Sequence, residues 1–513
     1  MVTIPHIMLL STFQIGCLVF LACLASLWAR SQWRQLPPGP PGLPFLGNIG
    51  DMPKDYEWLH WAKHKDLYGP ISSVCIMGQP IIILNSLKVC EDLLEKRSVI
   101  YSGRPLLHFA GEMIGWNLQM IFSPYGERFR SMRKLVARQI GTNAAIAKYR
   151  DVQEREAIHL LSRVSERPDN FLKDVRLSVG AIFLKMSYGY NVEREKTDPL
   201  LNVINIAADE FYLATLPGAW LVDNIPILRH VPAWMPGAGF KKVAERYRRT
   251  NFEQTYRPVE FVKSRMLDKT AVPSFTSAYL ESELSALDSE TLPFAATSLY
   301  GGGTDTVVAA INTFILAMVL FPDVQLKVQE EIDRVVGTGR LPNLADRENL
   351  PYFAAVYKEI LRWHVIGPIT PRSTIQDDWY GDYFIPKGSY VTTNLWQIAN
   401  DSEVYEDPGE FRPERFLGAQ SALDPHAWAF GFGRRACPGV ALAGATVYAF
   451  MSTALATYNF TPGSEGAPKP EFFSGSVSHP KPFKCSITAR SPAAVETMRA
   501  AYSEHPVEPP SQF

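Results

Sequence analysis

The sequence predicts a mainly α-helical fold with a small β-sheet region, set behind an N-terminal transmembrane helix. Three observations carry that prediction. Residues 7–28 form an uncharged apolar run, most of the remainder mixes apolar and charged residues at helical spacing, and residues 71–84 hold short apolar runs broken by Gly78 and Pro80. Composition sets the outer bounds: 46% apolar and 12% aromatic residues in 513 describe a globular chain and exclude disorder and collagen. With 51 basic and 52 acidic side chains the net charge is -1, which removes the electrostatic basis for a nucleic-acid role. The six cysteines (Cys17, Cys23, Cys75, Cys90, Cys437, Cys485) form no CxxC pair and have no close histidine spacing. Neither a disulfide framework nor a structural zinc site is predicted, and a reducing compartment fits.

The 22 residues from 7 to 28 would make a helix of about 33 Å, enough to cross a hydrocarbon core. A cleaved signal peptide would need a charged start and a shorter apolar run. Arg30 and Arg34 follow directly, so the positive-inside rule leaves the body in the cytosol. The sequons at Asn400 and Asn459 are then chance matches. Residues 1–29 are read as a single-pass anchor and residues 30–45 as a hinge, stiffened by the prolines at 37, 38, 40, 41 and 44. Residues 46–513 contain no linker, repeat or charge block and form one globular unit.

Within that unit, residues 71–84 predict a hairpin or small sheet, residues 126–140 and 150–165 predict helices, and Phe321-Pro322-Asp323 opens another with proline in its first turn. Residues 292–320 predict a long helix. Asp305, Asn312 and too short an uninterrupted apolar run make it a buried core helix rather than a second membrane span.

The segment Phe430-Gly431-Phe432-Gly433-Arg434-Arg435-Ala436-Cys437-Pro438-Gly439 places one cysteine between glycines that allow tight turns, with positive charge close to the sulfur. Such surroundings stabilise a thiolate, although a lone loop cysteine is commonly just a small buried hydrophobe. These ten residues resemble the haem-binding loop of the cytochrome P450 family, F-x-x-G-x-R-x-C-x-G, at every fixed position. The resemblance implies the P450 fold, haem b as cofactor, Cys437 as the axial thiolate on iron, Arg435 as a propionate partner, and Phe430, Gly433 and Gly439 as the residues shaping the loop. An anionic sulfur pushes electron density onto iron and favours O–O cleavage.

Three further segments extend the resemblance along the chain. Glu359-Ile360-Leu361-Arg362 puts an acid and a base on one helix face, in itself an ordinary surface pair. In the family such a pair joins an arginine from a P-E-R-F segment, here Pro413–Phe416, so Glu359, Arg362 and Arg415 are expected to form a structural network beneath the haem. Gly302-Gly303-Thr304-Asp305-Thr306 is similar to the family's [A/G]-G-x-[D/E]-T. Glycines inside a helix cost about 1 kcal/mol each and ask for a reason, either close approach of a ligand or helix packing. By resemblance Gly302 and Gly303 pass close to the haem face, while Asp305 and Thr306 are catalytic, relaying protons to dioxygen through a local kink and water. Tyr125 to Lys134 is similar to the helix bearing W-x-x-x-R, with Arg133 on a propionate and Phe129 where tryptophan is usual. Pro371-Arg372 offers a further propionate partner. The basic cluster Arg128, Arg130 and Lys134 would suit an acidic flavoprotein, or be a solvated face.

No dinucleotide fingerprint or flavin domain is present, so the resemblance implies electrons from NADPH through a separate membrane-bound cytochrome P450 reductase, with cytochrome b5 as a further candidate donor. The expected reaction inserts one oxygen atom into a lipophilic small molecule at the endoplasmic reticulum membrane. The Pro-rich hinge, Tyr101-Ser102-Gly103-Arg104-Pro105 and His479-Pro480-Lys481-Pro482-Phe483 resemble fungal microsomal members of secondary metabolism, the O-methylsterigmatocystin oxidoreductase-like group. Substrate contacts are expected from Leu107, Phe109, Met113, Trp116, Phe211, Leu213, Leu216, Trp220, the helix near Tyr300, and residues 365–370. A haem-thiolate binding or sensor protein, a rearrangement enzyme on the same fold, and xenobiotic detoxification stand as alternatives.

Overall fold

The computed structural model of the chain describes residues 35–216 and 218–512. The expected anchor, residues 1–29, and the start of the hinge lie outside the described residues. Helices of twelve or more residues are labelled α1 (Glu57–Tyr68), α2 (Glu127–Ile140), α3 (Arg150–Glu166), α4 (Phe171–Tyr188), α5 (Pro199–Thr215), α6 (Gly239–Leu267), α7 (Ala286–Leu320), α8 (Pro322–Val335), α9 (Pro351–Trp363), α10 (Val440–Thr457) and α11 (Pro492–Glu504). Strands are β1 (Ile71–Ile76), β2 (Gln79–Leu84), β3 (Ile369–Ser373), β4 (Asp378–Tyr380), β5 (Tyr383–Ile385), β6 (Tyr390–Asn394), β7 (Tyr458–Pro462) and β8 (Cys485–Ala489).

The predicted hairpin is β1–β2, paired from Ile71↔Leu84 to Ile76↔Gln79 and closed by Met77 and Gly78, both at positive φ. Glycine accepts that conformation freely, which is why the turn falls there. Pro80 does not break the strand as expected. It lies opposite Cys75, one residue before β2 begins its parallel pairing with β6 at Ile81↔Tyr390, so its missing N–H is not needed there. β3 completes a four-stranded sheet in the order β1-β2-β6-β3, with Arg372 opposite Val391.

The described part of the proline-rich segment is docked rather than free. The Ser73 N–H donates to Pro38 O at 2.8 Å, the Asn48 side-chain amide to Pro40 O at 3.0 Å and the Phe384 N–H to Gln35 O at 2.8 Å. A Cβ at Gly39 would lie 1.8 Å from Ser73 O, so only glycine permits this approach.

α2, α3 and α8 fall where helical spacing predicts them, with Pro322 in the first turn of α8. α7 starts six residues before the predicted 292, because Ser285 caps it by accepting from the Asp288 N–H at 3.1 Å. It runs through the centre of the body against α2, α4 and α10. α7 and α10 are both long and apolar enough to cross a membrane, yet 78% of each apolar window is buried inside the protein. For α7 this is the core role expected. α10, which the sequence reading did not single out, has the same property for the same reason.

Candidate active site

The cysteine loop leads directly into α10, whose N-cap is Gly439. Gly433 sits at φ 53°, and a Cβ there would lie 2.3 Å from Leu94 O, so conformation and packing both demand glycine. Phe430 packs against the main core and stacks on His426, its carbonyl accepting from the Cys437 N–H at 2.8 Å. The Gly439 N–H donates to Cys437 Sγ at 3.3 Å. Burial pushes the thiol pKa up, with that N–H and Arg133 pulling it down. Cys437 is nevertheless solvent-accessible. Among the described residues no three His, Cys, Asp or Glu side chains cluster as a metal ion would need. A single sulfur therefore suits a metal that carries its own macrocycle.

Four arginines converge behind this loop. Arg435 donates to Ser102 O at 2.9 Å and Ser123 O at 2.7 Å, and its guanidinium lies 3.8 Å over the Phe129 ring. Arg372, on β3, donates to Phe432 O at 2.7 Å and keeps Nη1 buried without a partner. Arg133, on α2, donates to Ala436 O at 2.7 Å. Arg104 donates to Pro371 O, and its Nε is buried without a partner. Burial pushes Arg104 down to about 10, Arg372 to about 9 and Arg435 to about 8, the last two also repelled by neighbouring arginines. Among the described residues no carboxylate pairs with any of the four. Desolvated like charges of this kind call for an anionic partner, and the two propionates of a haem whose iron meets Cys437 fit that need. Arg104 was missed at the sequence level, where nothing local distinguishes it from any arginine before a proline.

Across α7 the predicted pair of glycines divides. Gly302 is exposed, with nothing within 4 Å of a Cβ placed there. At Gly303 a Cβ would lie 2.1 Å from the Phe183 ring on α4. Packing between helices is thus one reason for glycine at 303. α7 runs from Ala286 to Leu320, and Thr306 Oγ1 donates back to Gly302 O at 2.9 Å. The Asp305 carboxylate is engaged by Arg176 at 2.9 Å and His479 at 3.0 Å. Burial raises its pKa, but these two cations outweigh burial and hold it below the usual range. Asp305 and Thr306 are therefore neighbours that do not bond each other.

Beneath the cysteine loop, Glu359 receives Arg362 through both oxygens at 2.9 and 2.7 Å and Arg415 at 3.2 Å, with all three side chains at most 2% exposed. The Arg412 N–H adds a fourth contact at 2.8 Å, and the two guanidiniums bind the carbonyls of Glu406, Asp407, Pro408 and Glu410. The network thereby fixes the segment that leads to the cysteine.

A family profile described as Cytochrome P450 matches residues 37–487 of the chain. The chain belongs to the cytochrome P450 family. Cytochrome P450 monooxygenase claR of Ampulloclitocybe clavipes is 52% identical over 510 residues, covering 98% of this chain and 94% of the relative. Tryptamine 4-monooxygenase of Psilocybe cyanescens is 36% identical over 94% and 98%. A zebra fish cytochrome P450 solved with abiraterone shares the fold, with a TM-score of 0.67 at 22% identity over 85% of this chain and all of that one. The chain is accordingly an oxidoreductase of the P450 monooxygenase class, mainly helical with small sheets, and similar to fungal members.

In this P450 only part of the segments expected to meet substrate forms one apolar cluster, since Leu213 is exposed and Val365, Ile366 and Ile369 of residues 365–370 pack in other core clusters. Phe109 stacks on Trp220 at 3.6 Å between centroids, and Trp116 lies 4.6 Å from Phe211. Leu107, Met113 and Val222 join them. Tyr300 behaves differently: it is buried, with its hydroxyl 3.7 Å from where a Cβ on Gly180 of α4 would sit, inside the helix packing. The basic cluster is largely neutralised, since Arg128 pairs with Glu290 at 2.5 Å and Lys134 with Asp288 at 2.7 Å, while Arg130 faces Tyr125. It offers an acidic partner less free charge than the sequence implies.

Proposed function

We propose that this P450 binds haem b through Cys437 and inserts one oxygen atom from O2 into a lipophilic small molecule, in the secondary metabolism of a fungus. The observation that carries the reading is the convergence of Arg104, Arg133, Arg372 and Arg435, unpaired by any carboxylate among the described residues, around a loop that leaves its one cysteine exposed. When bound, the haem supplies oxygen activation, with the thiolate favouring O–O cleavage. The chain's own residues do the rest. Arg133, Arg372 and Arg435 hold the propionates, joined by Arg104, while Phe129 presents a flat surface to Arg435. Phe430, Gly433 and Gly439 shape the loop, and Gly302 leaves the face of α7 open. Asp305 and Thr306 relay protons, and Phe109, Trp116, Phe211 and Trp220 exclude water and accept an apolar substrate.

In this reading residues 1–29 anchor a cytosolic body, residues 46–513, to the endoplasmic reticulum membrane, with the hinge at 30–45 orienting it. Electrons come from NADPH through a separate cytochrome P450 reductase, with cytochrome b5 as a second donor. The likeness of the 479–483 region to the O-methylsterigmatocystin oxidoreductase-like group and the fungal relatives support a biosynthetic role.

The test is untargeted mass spectrometry of a fungal host expressing the protein with a reductase, beside the same host carrying Cys437→Ser. A metabolite that gains one oxygen only with the native cysteine supports the reading. Identical profiles, with haem loading verified in the native protein by absorbance, would count against it.

A further inference from the structure

A cavity of about 70 Å³ lies beside the cysteine loop, lined by none of the residues assigned above to haem or substrate. A single water needs only about 10–15 Å³ of such space, so there is room for a polyatomic ligand. α9 presents Tyr357 and Lys358 to it, α10 presents Gly444 and Tyr448, and the turns Arg347–Asn349 and Pro425–Ala427 add Arg347 and His426. Its polar groups are short of partners. Arg347 forms no ion pair among the described residues: Asp346, its neighbour in the chain, gives both oxygens to Arg340 at 2.7 Å, and Glu348 is exposed. The hydroxyl of Tyr448, a residue 1% exposed, is buried with no partner, and that of Tyr357, 6% exposed, makes no hydrogen bond among the described residues. Lys358 and His426 share a single carboxylate, that of Asp424, at 2.8 and 2.7 Å. The Arg347 guanidinium is seated against α10 where the helix lacks a side chain, since a Cβ at Gly444 would lie 2.8 Å from Nη2. Glycine inside a helix is disfavoured, so its use at 444 is matched to the arginine.

The sum is a pocket of donors. Arg347 brings a planar fork of N–H groups, Lys358 an ammonium and the two tyrosines an O–H each, while the one acid at hand, Asp424, is already held twice. A buried donor without a partner costs stability, and a partly buried guanidinium without a counter-charge costs more. What fits is a compact anion with several acceptor oxygens. We propose that this cavity binds a phosphate-class oxyanion, with Arg347 as its charged anchor and Tyr357 and Tyr448 as hydrogen-bond donors. The site touches the cysteine loop: His426 stacks on Phe430 at 5.5 Å between centroids, and the Phe430 carbonyl accepts from the Cys437 N–H at 2.8 Å. Occupancy therefore braces the wall from which the loop departs.

Phosphorus NMR of inorganic phosphate, titrated into the full-length haem-loaded protein at an ionic strength held constant with sodium chloride, tests the site. The native protein should broaden the phosphate line saturably, and sulfate should reverse the broadening. Arg347→Gln should weaken binding about tenfold or more and Tyr357→Phe about two- to tenfold, the effects of losing a charge-assisted and a neutral hydrogen bond. Arg249→Gln, which removes an exposed arginine of α6, should change nothing. Tyr357→Phe keeps the ring and removes one hydroxyl, so it reads the site even if Arg347→Gln fails to fold. Broadening that never saturates, or that persists unchanged in both variants, overturns the proposal, because phosphate then meets only general surface charge. Glycerol phosphate separates two sources of the anion. Equal binding assigns the site to a phosphoryl group on a larger molecule and rejection assigns it to free phosphate, and both support an oxyanion site. The brace is read separately and rests on the reading of Cys437 as the haem ligand. Saturating phosphate should slow haem loss to apomyoglobin in the native protein and not in Arg347→Gln, and equal rates with and without phosphate would overturn the brace.

Discussion

The guanidinium of Arg435 lies over the ring of Phe129, 3.8 Å from its centroid. The family usually has tryptophan at this helix position. Phenylalanine keeps the stacking surface and gives up the ring N–H. The pair also joins two distant parts of the site, since Phe129 stands on α2 one turn before Arg133 and Arg435 stands two residues before the cysteine. Phe129→Ala should therefore weaken haem retention as well as fold stability, losing about 0.5–2 kcal/mol of cation–π attraction besides the buried ring. Phe129→Trp should retain both. Haem absorbance per protein after gel filtration, alongside thermal unfolding, checks the pair.

Glu359 carries four contacts in a fully buried position. Glu359→Gln or Arg362→Ala leaves an uncompensated buried charge, with an expected cost of about 3–5 kcal/mol. The segment 406–412 should loosen and the protein should be recovered without haem. Full haem content in Arg362→Ala would contradict the structural role given to this network.

The neighbouring glycines of α7 should respond in opposite ways. Gly302→Ala meets open space and should leave stability unchanged or raise it by about 1 kcal/mol through helix propensity. Gly303→Ala drives a methyl group into Phe183 and should lower the melting temperature, with an expected cost of about 1–3 kcal/mol. Adding Phe183→Leu should recover part of that loss, which thermal denaturation of the three variants measures.

Arg372 should destabilise the apoprotein and stabilise the haem-loaded one. Burial and the neighbouring Arg104 already push its pKa down to about 9. Arg372→Met should raise the stability of the apoprotein by about 1 kcal/mol or more. The same change should speed haem loss to an acceptor such as apomyoglobin. Lowered apoprotein stability would show that the bond to the Phe432 carbonyl outweighs the repulsion.

His364 gives the fold an acid-sensitive point. Burial pushes its pKa down to about 4, against about 6.5 in an unfolded chain. Between those values the unfolded chain takes up a proton that the folded protein refuses. Stability from this group is therefore complete above about pH 6.5 and declines by up to about 3 kcal/mol as pH falls to about 4. His364→Gln should flatten the slope of denaturation free energy over that window.

What could be read in advance was what short spacing encodes. Cys437 with its glycines, the Glu359–Arg362 step on one helix face and the turn at Gly78 are local patterns, and each sits where its pattern puts it. What escaped depended on encounters between distant segments. Arg104 joins the arginine group only because β3 passes beside it, and Phe183, 120 residues before Gly303, gives one reason why that position is glycine. Asp305 looked like half of a relay with Thr306, but its partners come from residues 176 and 479, which no periodicity connects. Charge clusters misled for a related reason, since the acids that neutralise Arg128 and Lys134 lie on another helix.

The proline segment has a consequence for reach. Gln35, Pro38 and Pro40 are fastened to β5, β1 and Asn48 respectively, and Gly39 is wedged against Ser73. From residue 35 onward the segment is a weld rather than a leash. Extra residues inserted among the prolines would bulge outward or peel β1 from its place. The path of residues 35–40 is thus written into the edge of the β-sheet, and shifting the register of β1 would move the whole segment.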